Sequence, residues 1–179
     1  MKPKKCKNCK ELFQPTKPLQ SVCGYACAMV IGKKATTKQL NQDMRHRKLA
    51  LKTKAEWLRE TQTVFNAYIR LRDAHLGCIS CGNHLSNQYA AGHYRTVGSA
   101  PHLRFDERNV HKQCNRYCNM ELSGNIIKYR QGLVAKIGLE AVEQLECDNT
   151  PQHYTIEQIQ NIKSYYQLKI KELERLNHE

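Results

Sequence analysis

The stretch AGHYRTVGSAPHLRFDERNVHKQCNRYCN, residues 91–119, decides how this chain is read. It sets His93 behind a glycine, Asn109 well downstream, and then Cys114 and Cys118. These cysteines complete a C-x2-C-x32-C-x3-C pattern with Cys78 and Cys81. Thiolates at such spacings close a tetrahedral zinc site from two short knuckles, which staples the enclosed loop at its base. His84, His93, His102, Asn109 and His111 all lie inside that loop. Four thiolates leave no open coordination position, so this zinc is expected to be structural, and catalysis must come from groups beside it.

Upstream, a second quartet, Cys6, Cys9, Cys23 and Cys27, follows a C-x2-C-x13-C-x3-C pattern interrupted by prolines and a glycine. A segment this small needs a metal to fold, so a second structural zinc is expected there. The ninth cysteine, Cys147, is expected to be a small buried hydrophobe near a helix end. No secretory pattern and no apolar run of membrane-spanning length is visible, which predicts a soluble cytoplasmic protein. Thiols stay reduced in that compartment, so paired cysteines argue for metal and against a disulfide framework.

The charge is unevenly placed. Of the net +13, residues 1–59 carry fifteen Lys and Arg against Glu11, Asp43 and Glu56, leaving +12 in the first third of the chain. An anionic membrane or a nucleic acid would attract such an arm, and a membrane binder would pair the charge with a wide apolar face. Residues 32–52, with Arg45, Arg47 and Lys48, have no such face. Nucleic acid is therefore the expected partner, the alternative being a solvated charge run.

The remaining pattern is helical around a short irregular centre. Thr53 and Glu56 form a capping box ahead of Trp57, Thr61, Val64, Phe65, Tyr68 and Leu71, predicting a helix to about Asp73. Residues 78–119 suit hairpins and metal-held loops. Helices are expected over 125–137, stopped by Gly138, over 139–145, and from Thr155 onward. The last carries Ile159, Ile162, Tyr166, Leu173 and Leu176 on one face, suited to packing on the domain or on a second copy in a homodimer. The expected class is α+β. Its domains are a four-cysteine knuckle over 1–31, a basic linker over 32–52, helical or mobile without DNA, and a zinc-stapled domain over 53–179.

Several of these motifs carry a resemblance. CISCGN at 78–83, AGHYRT at 91–96, LRFDERNVHKQC at 103–114 and SGN at 123–125 resemble, in order and spacing, the NinG/Rap recombination proteins of lambdoid phages. More broadly, the pattern resembles HNH endonucleases of the ββα-metal (His-Me finger) class. The resemblance implies a ββα core and a nuclease that cuts branched DNA, such as Holliday junctions and D-loops, in an infected bacterial host, using Mg²⁺ or Mn²⁺. His93 matches the first His, the general base; Asn109 the middle Asn, which tethers the base-bearing loop; and Asn119 the third residue, a metal ligand. An imidazole titrates near neutral pH and can take a proton from water, whatever the family.

One position departs from that pattern. Where HNH sequences commonly carry a metal-binding Asp, this chain has Gly92. His111, Asn125, Asp106 and Glu107 are the candidate replacements, with His111 paired with Asn119 as the expected catalytic-metal set. Arg95, Arg104, Arg108, Lys112 and Arg116 lie close in sequence and are expected to clamp phosphates. A rival function, a non-catalytic zinc module that binds DNA and recruits recombination factors, explains the cysteines and the charge but has no need of His93.

Overall fold

The computed structural model describes residues 1–176. The chain divides into two compact units, Met1–Lys52 and Thr53–Glu179. In the first, strands β1 (Lys4–Lys5) and β2 (Leu12–Phe13) form a minimal antiparallel hairpin, followed by helix α1 (Tyr25–Ala50). The helix begins inside the cysteine knuckle, so Cys27 sits on its first turn and no boundary separates knuckle from linker. The expected break near residue 31 is absent because residues 25–50 contain no proline and one glycine, and are rich in Ala, Lys, Gln, Met and Leu, which favour helix. No residue of α1 is buried.

The second unit is built around another antiparallel hairpin. Strand β3 (Tyr89–His93) pairs with β4 (Val110–Cys114), His93 standing opposite Val110 and Gly92 opposite His111. Successive side chains of a strand point to opposite faces. His93, Val110 and Lys112 therefore face one way, and Gly92, His111 and Gln113 the other.

Helices cover both faces. On the Val110 side, α2 (Lys54–Arg72) and α5 (Ile156–Leu176) pack together, burying Phe65, Tyr68, Ile69, Phe105 and Tyr166 with Val110. The rings of Phe65 and Tyr166 meet edge to face at 4.8 Å. Ile162, Ile170 and Leu173 join this core, so most of the apolar stripe of α5 packs on its own chain, while Leu176 stays exposed. On the His111 side, α3 (Ile126–Ile137) and α4 (Leu139–Cys147) bury Tyr129, Leu133, Val142 and Leu145 with Tyr94 and Leu103.

The helix ends follow their local chemistry. Thr53 Oγ1 accepts from the Glu56 backbone N–H, and Glu56 Oε2 accepts from the Thr53 N–H at 2.8 Å, completing the capping box. Thr155 and Gln158 do the same for α5. Gly138, at φ +87°, stops α3 in a conformation that side chains resist. Cys147 ends α4 exposed, not buried, because the α4 face turned to the core carries Val142 and Leu145.

Candidate active site

His93 ends β3, half-buried, with Nε2 3.0 Å from the Arg104 carbonyl oxygen. A carbonyl only accepts, so Nε2 holds the ring proton and Nδ1 presents a lone pair. Burial, and secondarily the positive charge of Arg104, lower the His93 pKa against the opposing pull of that carbonyl. The ring is therefore neutral near pH 7. Among the described residues Nδ1 has no hydrogen-bond partner, and the fully buried unpartnered side-chain atoms are Gln62 Oε1 and Arg104 Nε. Nδ1 thus keeps its lone pair free to accept a proton.

Asn109 explains how the Arg104 carbonyl is held. Fully buried, its Oδ1 accepts from the Arg95 backbone N–H at 2.8 Å, and its Nδ2 donates to the carbonyls of Arg95 at 3.0 Å and Leu103 at 3.2 Å. One amide thus ties both ends of the β3–β4 loop and sets Arg104 under the imidazole. The loop is a satisfied network, with the Tyr94 N–H also donating to the Asn109 carbonyl at 2.8 Å.

The base of the hairpin is the second cysteine cluster. The Sγ atoms of Cys78, Cys81, Cys114 and Cys118 lie within 4.8 Å of one another, with Cys81 and Cys114 3.6 Å apart. Thiolates about 2.3 Å from a tetrahedral zinc stand roughly 3.8 Å apart, so the donors are close to that geometry. Cys78 Sγ accepts from the Cys114 backbone N–H at 3.2 Å, and Cys118 Sγ from Asn125 Nδ2 at 3.6 Å. Burial and the neighbouring sulfurs push the Cys114 thiol up to about 12, while amide donors overcome burial and lower Cys78. A cluster in which only some thiols ionise readily is completed by a dication. The Cys6, Cys9, Cys23 and Cys27 sulfurs likewise lie within 4.8 Å of one another. Both clusters could bind zinc.

The expected catalytic-metal residues do not converge. His111 is 2 % exposed, on the hairpin face opposite His93, with Nδ1 3.4 Å from the Tyr129 hydroxyl. Burial first, then the charges of Lys136 and Arg72, push it down to about 3. Asn119 lies on a π-helical segment, Asn115–Glu121, and donates to Asn115 Oδ1 at 3.4 Å. At Gly92 a side chain has no room, since a Cβ would stand 2.3 Å from Gln113 Oε1. Gln113 is anchored by donating to Ser80 Oγ and the Gly124 carbonyl. Among the described residues, the cysteine quartets are the only groups of three or more His, Cys, Asp or Glu with converging ligand atoms. No such group of three gathers around His93 among the described residues.

The expected phosphate clamps also sort differently. Lys112 is 8 % exposed and donates to the Ala74 carbonyl at 2.9 Å, so it is a structural lysine. Arg95 is engaged by the carbonyls of Leu145 and Asp148 and by Asn149 Oδ1. Arg108 forms a paired contact with Asp106, and Arg116, 91 % exposed, pairs with Glu121 at 2.9 Å. Arg104 alone of the five has neither an ion pair nor a side-chain hydrogen bond among the described residues. On α1, Arg45 and Lys48 continue a face begun by Lys34 and Lys38, while Arg47 lies on another face.

Sequence reasoning missed Asp73, which organises this unit from 2 % exposure. It bonds Arg72 at 2.9 Å and Lys136 at 2.9 Å and accepts from the Lys112 backbone N–H, joining α2, α3 and β4. Burial alone would raise its pKa, but these donors outweigh burial and hold the carboxyl well below the usual range. Nothing in its local pattern marks it, because its partners are distant in sequence.

Against this geometry the comparisons with known proteins are specific. A family model described as Bacteriophage Lambda NinG protein matches residues 1–177. The chain belongs to the NinG family. It is 40% identical over 190 residues to Protein ninG of Escherichia phage lambda, covering 95% of this chain and 93% of that protein. The same protein of Salmonella phage P22 is 41% identical over 190 residues, and that of Escherichia phage 933W 42% over 188, at the same coverage. The family match spans both cysteine clusters, α1 and His93. No solved structure matches the chain. No helix among the described residues is long and apolar enough to cross a membrane.

Proposed function

We propose that this NinG protein is a DNA endonuclease of the HNH type that cuts branched recombination intermediates, with His93 as its general base. The observation that carries the reading is a neutral imidazole whose Nε2 is fixed by the Arg104 carbonyl, leaving Nδ1 as an unpaired proton acceptor. In hydrolysis, His93 Nδ1 takes a proton from water as the water oxygen attacks phosphorus, and the phosphorus–oxygen bond to the leaving sugar breaks. Asn109 and the cysteine cluster hold the hairpin so that the base does not wander. The Mg²⁺ or Mn²⁺ requirement implied by the HNH resemblance is part of the proposal. A hydrated ion can arrive with the DNA phosphate without a resident protein site.

The test is cleavage of synthetic four-way junctions, forks, linear duplex and single strands with Mg²⁺ or Mn²⁺. Wild type should cut branched substrates, and His93→Ala should keep fold and DNA binding while losing about 10²-fold or more in rate. Wild-type cleavage by a folded His93→Ala chain would overturn the mechanism. A second reading, a zinc module that binds DNA and recruits recombination factors, is favoured by one observation: Gln113 fills the space a carboxylate at position 92 would need. A wild type that binds junctions yet cuts none of these substrates would establish it.

A further inference from the structure

One flank of α2 and Arg104, whose carbonyl meets the His93 imidazole, enclose a solvent-open cleft of ≈ 520 Å³, lined by Arg59, Gln62, Thr63, Asn66 and Arg104 with Ala55 and Leu58. The α2 residues recur at helical spacing next to, not on, the buried stripe of Trp57, Thr61, Phe65 and Tyr68. No acidic side chain lines the cleft. Arg59 is exposed and, like Arg104, has no ion-pair partner among the described residues.

Two atoms give the cleft its chemistry. Arg104 Nε and Gln62 Oε1 are, among the described residues, the fully buried side-chain polar atoms without a hydrogen-bond partner, and both belong to residues lining this one cleft. A buried guanidinium N–H left unmade is costly unless a ligand completes it. Gln62 Nε2 donates to Asn66 Oδ1 at 2.8 Å. The two amides can exchange donor and acceptor ends together, so the buried end of Gln62 can meet either kind of group. Two guanidinium groups, two amides and a hydroxyl around one opening suit a tetrahedral oxyanion, which Arg binds through parallel N–H donors.

We infer that this cleft binds a phosphodiester of the DNA strand presented to His93. Arg104 does two things at once: its carbonyl orients the imidazole at 3.0 Å, and its guanidinium receives the phosphate. The inference rests on DNA being the ligand, as proposed above, but not on the chain cutting it.

Binding of a fluorescent four-way DNA junction to the full-length zinc-loaded chain, followed by anisotropy across a salt series, tests it. Arg104→Gln and Arg59→Glu should each weaken binding about tenfold or more. Each should also flatten the log-log salt slope by roughly 0.9. Arg59 is exposed on a helix, so its variant keeps the fold should Arg104→Gln lose it. Lys171→Gln, at an exposed position of α5, is the control and should change neither. Unchanged affinity and slope in Arg59→Glu and Arg104→Gln overturn the cleft, even if His93→Ala abolishes cleavage and the nuclease proposal stands. A flattened slope in both variants, in a protein whose wild type never cuts, supports the cleft while the nuclease proposal falls. If inorganic phosphate raises the thermal midpoint of wild type but not of Arg104→Gln, and DNA affinity is the same in both, the cleft belongs to a free anion and the strand assignment is overturned.

Discussion

His93 works through its neutral form, and the direction of its pKa shift sets a pH signature. Because burial lowers the folded value, the base stays unprotonated below the ordinary imidazole value of about 6.5. The acid limb of kcat/KM for junction cleavage should therefore have its midpoint below about 6.5; a midpoint above it would remove His93 from the role. Asn109 carries a separable prediction. Asn109→Ala leaves the Arg95 N–H and the carbonyls of Arg95 and Leu103 without their side-chain partner in a buried setting. The loss should be about 3 kcal/mol in urea unfolding, together with cleavage, because the Arg104 carbonyl is no longer held. Rotating free of it, the imidazole loses its tautomer as well as its aim.

Among the elements, the β3–β4 hairpin and α1 depend on different forces. Five residues per strand make a marginal hairpin, and its register is held by Cys114 at the end of β4 together with Cys78, Cys81 and Cys118. Protein purified without added zinc should return about two zinc ions per chain, and Cys78→Ser or Cys114→Ser should unfold the second unit, since metal binding and folding are coupled there. Elemental analysis and circular dichroism check this; one ion or none would remove the staple. Helix α1 buries nothing, and Lys34, Lys38, Arg45 and Lys48 share a face. Truncation of residues 1–48 should weaken binding to junction and linear duplex alike and flatten the salt slope. A truncated chain that lost junction preference but kept duplex affinity would make α1 a reader of DNA shape.

At the scale of the whole molecule, three groups make the second unit sensitive to acid. His93 and His111 have folded pKa values below their ordinary one, so the unfolded chain binds protons first as pH falls from about 6.5. Their contribution is complete above that value and shrinks on acidification, for His111 down to its folded value of about 3. Asp73, lowered below the usual carboxylate range, contributes in full above about 4 and is lost beneath it. Unfolding free energy should therefore fall as pH drops from 7 to 4, with a slope of up to about 1.4 kcal/mol per pH unit for each buried histidine. In His111→Asn that slope should be shallower, as read by urea denaturation at each pH.

Much of this was legible in sequence because it is local or periodic. The two cysteine patterns, the capping boxes at Thr53 and Thr155, the stop at Gly138 and the stripe on α2 each depend on residues a few positions apart, and those spacings act wherever the chain goes. His93 and Asn109 stood out because the cysteines bracket them. Tertiary structure alone decided what each side chain near them meets. A strand turns neighbours to opposite faces, so His111 and Lys112, two and three residues after Asn109, went into the interior on either side of the hairpin instead of toward a metal or a phosphate. Arg59, Gln62 and Asn66 meet Arg104 only because α2 packs across the β3–β4 loop. Asp73 likewise gains Lys136 through folding alone. Such contacts depend on which faces two distant segments turn to each other, and that is set by the burial of Phe65, Val110 and Tyr166, not by spacing along the chain.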